Sequence, residues 1–66
     1  MNTNELSQIK ENDVIYDESA GVFYNVIKIY KSGILTYWRW TNSYGRFTER
    51  KYFKYGELLC KDMILL

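Results

Sequence analysis

Apolar residues in this chain come in short blocks, and polar clusters, most of them bearing glycine, separate them. Val14 and Ile15, both β-branched, predict a first strand over residues 13–16. Asp17-Glu18-Ser19-Ala20-Gly21 reads as a turn in which Gly21 takes the positive φ of a tight loop. Residues 22–31 form the second predicted strand. Its apolar side chains fall on both faces instead of alternating, which predicts cover on both sides or a β-bulge. Ser32-Gly33 predicts a two-residue hairpin turn, residues 34–41 a third strand, and Asn42-Ser43-Tyr44-Gly45 the next turn. Residues 46–54 predict a fourth strand and Tyr55-Gly56 its end. Residues 57–61 predict one helical or 3₁₀ turn, with Glu57 and Lys61 as neighbours one turn apart. Met63-Ile64-Leu65-Leu66 predicts a closing strand. Residues 1–8 are polar and predict a flexible tail or a short helical turn, capped by Thr3 or Asn4 and carrying Leu6 and Ile9.

Strands this closely spaced predict an all-β domain over residues 9–66, a small five-stranded antiparallel barrel or meander with a short helical turn before the last strand. The chain contains no proline, which suits ladders in which every backbone N–H is used.

Ile9-Lys10-Glu11-Asn12-Asp13-Val14-Ile15-Tyr16, followed by Gly21 and Val26-Ile27-Lys28-Ile29, resembles the opening of small SH3-like barrels of the KOW or Tudor type. In that pattern an apolar residue precedes a Gly-Asp turn and a short Val-rich strand follows. Asn12 stands where glycine is usual, and asparagine visits the left-handed region more readily than most residues. The resemblance spans residues 9–29 and implies a module that binds peptides, proteins or nucleic acids; it transfers no site residues.

Composition narrows the chemistry. With 66 residues there is room for one domain, and a core of that size needs help from a staple or from large side chains. One cysteine and no histidine rule out an internal disulfide and leave no ligand set for structural zinc. Seven tyrosines, two tryptophans and three phenylalanines supply the mass instead. The same absence of histidine removes the usual catalytic base, so no enzyme activity and no cofactor are expected. Cys60 beside Lys61 reads as a buried or inert thiol in an apolar turn. Three carboxylates between residues 11 and 17, Glu11, Asp13 and Asp17, lack the twelve-residue loop and closing glutamate of a calcium site. No apolar run approaches the ~20 residues that span a bilayer, so a membrane partner is not expected and a reducing cytoplasm is the expected setting.

Charge is unevenly placed. Residues 1–20 hold five acids against Lys10, a net of −4, and residues 28–54 hold seven bases against Glu49, a net of +6. The plain reading sets the two regions close enough to offset one another; the sharper one is a dipolar surface that orients a partner. In the basic region an odd-sum pairing of strands three and four sorts side chains into the two faces given next, whereas the even-sum register of a three-residue Ser43–Gly45 loop would regroup them. Ile34, Thr36, Trp38 and Trp40 with Phe47, Glu49, Lys51 and Phe53 form the expected core face, with Glu49 and Lys51 needing a twist or bulge to reach the rim. Leu35, Tyr37, Arg39 and Thr41 with Arg46, Thr48, Arg50 and Tyr52 form the wet face.

Arginine and tyrosine are the types enriched at interfaces, so Tyr37, Arg39, Arg46, Arg50 and Tyr52 are the candidate partner contacts, with Tyr44 at the loop tip. The competing reading is a solvated face on which Arg stacks on Tyr. A protein partner is favoured over a nucleic acid because the net charge is only +1. An adaptor, a subunit or an inhibitor of the kind phages and mobile elements carry would fit this economy. The apolar carboxyl end either closes the barrel, the favoured reading, or pairs with its counterpart in a homodimer.

Overall fold

The computed structural model describes residues 1–66. Its elements run α1 (Thr3–Gln8), β1 (Val14–Asp17), β2 (Val22–Ile29), β3 (Gly33–Asn42), β4 (Gly45–Lys54), α2 (Tyr55–Cys60) and β5 (Met63–Leu65). The five strands form one sheet in the spatial order β4-β3-β2-β1-β5, every neighbouring pair antiparallel. The five-stranded β architecture and the short helix before the last strand follow the sequence reading. The closed barrel does not: β4 and β5 remain separate edges. Closure would need β5 to reach β4, but β5 is three residues long and pairs only with β1, while α2 packs into the core with Leu58 fully buried.

One face of the sheet carries the core. Alternation along the strands sets Ile15, Tyr24, Val26, Ile34, Phe53 and Met63 on that face, and Ile9 and Leu58 close over them from the helical segments. Thr36 is buried among them and satisfies its hydroxyl by donating to the Lys51 carbonyl at 2.8 Å. The carboxyl end does not close a barrel as expected; it is used within the chain as an edge strand, since β5 pairs with β1 and buries Met63.

Several local expectations shift by a residue or two. Asn2, not Thr3 or Asn4, caps α1: its side chain accepts the Glu5 N–H at 2.8 Å and the Glu5 carboxylate accepts the Asn2 N–H at 3.4 Å. The other Glu5 oxygen accepts the Leu65 N–H at 3.3 Å, which ties α1 to β5. Asn12 adopts φ +73°, the left-handed turn expected of it. The irregular pattern of β2 resolves as a register shift between Val26 and Lys28, a bulge at Ile27. Cys60 is exposed, because α2 spends its inward position on Leu58.

The turn expected at Ser32-Gly33 moves back by one residue. Tyr30 donates its N–H to the Gly33 carbonyl at 2.8 Å, so Lys31 and Ser32 form the turn and Gly33 already belongs to β3. Gly33 is there for clearance, since a Cβ at this position would lie 2.1 Å from the Phe53 carbonyl oxygen. Gly33→Ala is expected to destabilise the fold by about 1–3 kcal/mol, read as a lower urea midpoint.

Asp17 organises the β1–β2 turn. Its Oδ1 accepts the Ser19 hydroxyl at 2.7 Å, the Ser19 N–H at 3.1 Å and the Ala20 N–H at 3.3 Å, while Gly21 takes φ +67°. The Ser19 hydroxyl bond, aided by the two amides and the Lys61 charge and opposed by burial, holds the Asp17 carboxyl below its ordinary value of 3.8. A depressed folded-state pKa gives stability that is complete above the unfolded value and is lost as pH falls through the folded one. The urea midpoint should therefore drop as pH is taken from 5 to below 3.8, and the drop should be smaller in Asp17→Asn.

Candidate functional site

β3 and β4 pair without interruption from Gly33↔Lys54 to Asn42↔Gly45, an odd-sum register across the Ser43-Tyr44 turn. The Asn42 side chain accepts the Tyr44 N–H at 2.8 Å and Gly45 takes φ +138°, so the turn residues themselves set the register. This register produces the two faces read from the sequence.

β2 supports only part of this hairpin. It pairs with β3 from Ile29↔Ile34 to Asn25↔Tyr37 and no further. Beyond Tyr37 the hairpin continues as a two-stranded arm, and every residue from Thr41 to Arg50 is exposed. The arm runs about five residues past the last β2 pair, or ~17 Å at the usual rise per residue.

On the face away from the helices, Tyr37 lies opposite Arg50, Arg39 opposite Thr48, and Thr41 opposite Arg46. The Arg39 guanidinium sits 5.4 Å from the centroid of the Tyr37 ring, a cation–π contact that extends the side chain along the face. Arg39 and Arg46 occupy diagonal corners of a four-residue patch whose other corners are Thr41 and Thr48, and these four line a shallow concavity together with Trp40 and Phe47. Diagonal neighbours stand roughly 7–8 Å apart at the backbone, and Arg39 leans toward Tyr37 on the side away from Arg46, so the two cations spread along the face.

The structure gathers Tyr37, Arg39, Arg46 and Arg50 on this face and separates the two remaining tyrosines from them. Tyr44 is at the arm tip and 90 % exposed. Tyr52 is at the arm's base, opposite Leu35, where its hydroxyl bonds Ser32 and its ring meets Tyr30 edge-on at 6.3 Å. It serves the base of the hairpin.

The opposite face departs from expectation along its outer half. Ile34 and Phe53 are fully buried, but Trp38 and Trp40 are half-buried and Phe47 is exposed, because the core they were expected to join ends before them. Trp38 stacks on Trp40 at 6.3 Å and Trp40 on Phe47 at 4.5 Å. Glu49 and Lys51 need no bulge to reach solvent, since β4 is an edge strand with unbroken register; Lys51 lies over the Phe53 ring at 5.1 Å.

A second cleft lies where β2 leaves β3, walled by Gly21, Val22 and Phe23 on one side and Trp38, Arg39 and Trp40 on the other. The sequence reading missed it. No signal for it was available, because the sequence reading gave the second strand ten residues, 22–31, and the third only eight, 34–41, so no uncovered length was visible.

No cluster of three or more His, Cys, Asp or Glu side chains is placed to hold a metal ion, and no helix is long and apolar enough to cross a membrane. No protein-family model, curated protein or solved structure matches this chain.

One polar atom stands out in the arm. The Trp40 Nε1–H is shielded from solvent and has no acceptor. Trp40→Phe keeps the stacking and removes this orphan donor, so it should leave the urea midpoint unchanged or raised. Trp40→Ala removes two ring contacts and should cost about 1–3 kcal/mol by the same measurement.

Proposed function

We propose that this protein is a non-enzymatic binding protein whose β3–β4 arm captures an acidic surface of a partner protein, in the manner of an adaptor, a subunit or an inhibitor. The observation that carries this reading is the arm itself. Residues 41–50 are all exposed, and residues 38–50 hold three arginines against the single acid Glu49. A ribbon that leaves its own sheet, with only Trp38 packed against the core, buries little of the surface that a 66-residue domain must bury to fold. Contact with another molecule accounts for it better than folding does.

Paired Arg and Tyr on a rigid strand offer both charge-assisted hydrogen bonds and apolar area, the mixture that dominates binding energy in protein interfaces. A protein partner is preferred to a nucleic acid for two reasons. The whole chain has a net charge of +1, far from the basic excess of backbone binders. Moreover, the rings of Trp38, Trp40 and Phe47 stack on one another, so their faces are largely taken and offer little platform for bases. The exposed thiol of Cys60 fits a reducing cytoplasm.

The test is affinity capture from the source cell with the immobilised protein. Arg39→Glu combined with Arg50→Glu should reduce capture at least ~10-fold, as loss of buried charge pairs does at interfaces. Both side chains are exposed, so circular dichroism and the urea midpoint should match the parent. Undiminished capture by this variant would refute the arm as the contact surface. Recovery of nucleic acid in place of protein, with binding that falls steeply as salt rises, would transfer the arm to the other class of partner.

A further inference from the structure

We propose that the arm takes its partner as an added strand: an extended peptide with acidic and apolar residues in alternation pairs along the free edge of β3 from Trp38 to Asn42. This rests on the arm being the contact surface and specifies how the contact is made.

The edge arises from the way β2 divides its pairing. β2 stays with β1 down to Asp17↔Val22, but its pairing with β3 stops at Asn25↔Tyr37. Val22–Tyr24 therefore diverge from Trp38–Trp40, and the cleft between Phe23 and Trp40 opens at that divergence. β3 remains fully paired with β4 on its other side as far as Asn42. In an antiparallel strand alternate residues direct both main-chain groups to one neighbour. Along Trp38–Asn42, then, every second residue presents its N–H and C=O to the side that β2 has left.

Free strand edges are ordinarily protected by lysines, bulges, proline or a short length. The outer edge of β4 follows that pattern, with Arg46, Arg50, Lys51 and Lys54 all exposed along it. The distal edge of β3 does not. It has no bulge, no proline and a single charge, Arg39. Its geometry is already fixed by β4, so an incoming strand meets a preorganised partner and the ordering cost falls mainly on the peptide.

Side-chain alternation defines the occupant. Peptide residues on the wet face would meet Arg39, and Phe23, 54 % exposed, would border them. Residues on the other face would meet Trp38 and Trp40, both half-buried. Acidic side chains suit the first positions and apolar ones the second. A second copy of this chain is a poorer occupant, because two-fold pairing of the same edge sets Arg39 of one molecule beside Arg39 of the other.

The experiment uses the full chain and a synthetic peptide of about eight residues alternating Glu and Val. Two controls accompany it: the same peptide N-methylated at every residue, which cannot donate to a strand, and a Lys-Val peptide of equal length. Amide hydrogen exchange at Trp38–Asn42 is followed by NMR. At millimolar Glu-Val peptide the edge amides should exchange about tenfold more slowly, with no effect from either control and none in Arg39→Glu. Absence of slowing with the Glu-Val peptide, or equal slowing with a control, overturns strand addition. The outcomes also separate the two proposals. Loss of partner capture in the Arg39→Glu, Arg50→Glu variant without edge protection sinks strand addition alone, whereas capture that survives the charge reversal sinks the arm as well. Sedimentation of the free chain should give a monomer; a dimer with protected Trp38–Asn42 amides would make a second copy the occupant and overturn the acidic peptide.

Discussion

The structure depends on a line of aromatic rings that carries the core out onto an unsupported hairpin. Phe53 lies at the centre of the core and meets Tyr24 edge-on at 5.0 Å; Tyr24 meets Trp38 edge-on at 6.3 Å; Trp38 stacks on Trp40, and Trp40 on Phe47. A two-stranded ribbon is at best marginally stable in water by itself. Each ring pair contributes about 0.5–1.5 kcal/mol beyond its buried area, and the pairs act in series, so the arm is held straight from one side. The other side is then free of any packing duty. That is why arginine, threonine and tyrosine can populate it at no expense to the fold.

The faces of the hairpin were legible in the sequence because their cause is local. Side chains alternate with period two, and the Asn42 side chain with Gly45 at φ +138° fixes the parity of pairing within four residues. The same holds for Asn12, whose left-handed turn needs only its own short side chain. What the sequence did not reveal is set by residues far apart in the chain. Trp38 and Trp40 look like core positions, and whether they are covered depends on where β1, β2 and the helices end. The role of Gly33 depends on Phe53, twenty residues on, and a turn reading could not anticipate a carbonyl oxygen in the place of its side chain. The cap of α1 was missed by one position because Asn2, Thr3 and Asn4 are all competent, and only Glu5, spaced three residues after Asn2, selects among them.

The candidate site divides along the same line. Tyr37, Arg39, Arg46 and Arg50 share a face because parity alone places them there. Tyr52 has the same parity but lies at the base, where Ser32 and Tyr30 engage it, and parity carries no information about position along a strand. The cleft beside Trp40 was invisible for a further reason: it is a property of pairs that do not form. An alternating pattern identifies a strand, and it is silent on which neighbour that strand abandons.

The divergence of β2 follows from its bulge. An extra residue at Ile27 lets Ile29 face Ile34 and Asn25 face Tyr37 in registers that differ by one, and a bulge bends and twists the strand that holds it. Bent in this way, β2 stays with β1, where Ile15 and Asp17 hold buried positions, and gives up β3 beyond Tyr37. The competition is one of burial. Continuing along β3 would pair Val22–Tyr24 with an arm that has no helix above it, whereas following β1 keeps Tyr24 in the core and seats Val22 against it. The unpaired edge is therefore a consequence of how a small core is filled, and the sheet keeps it rigid through β4 while leaving it empty on the side where β2 has turned away.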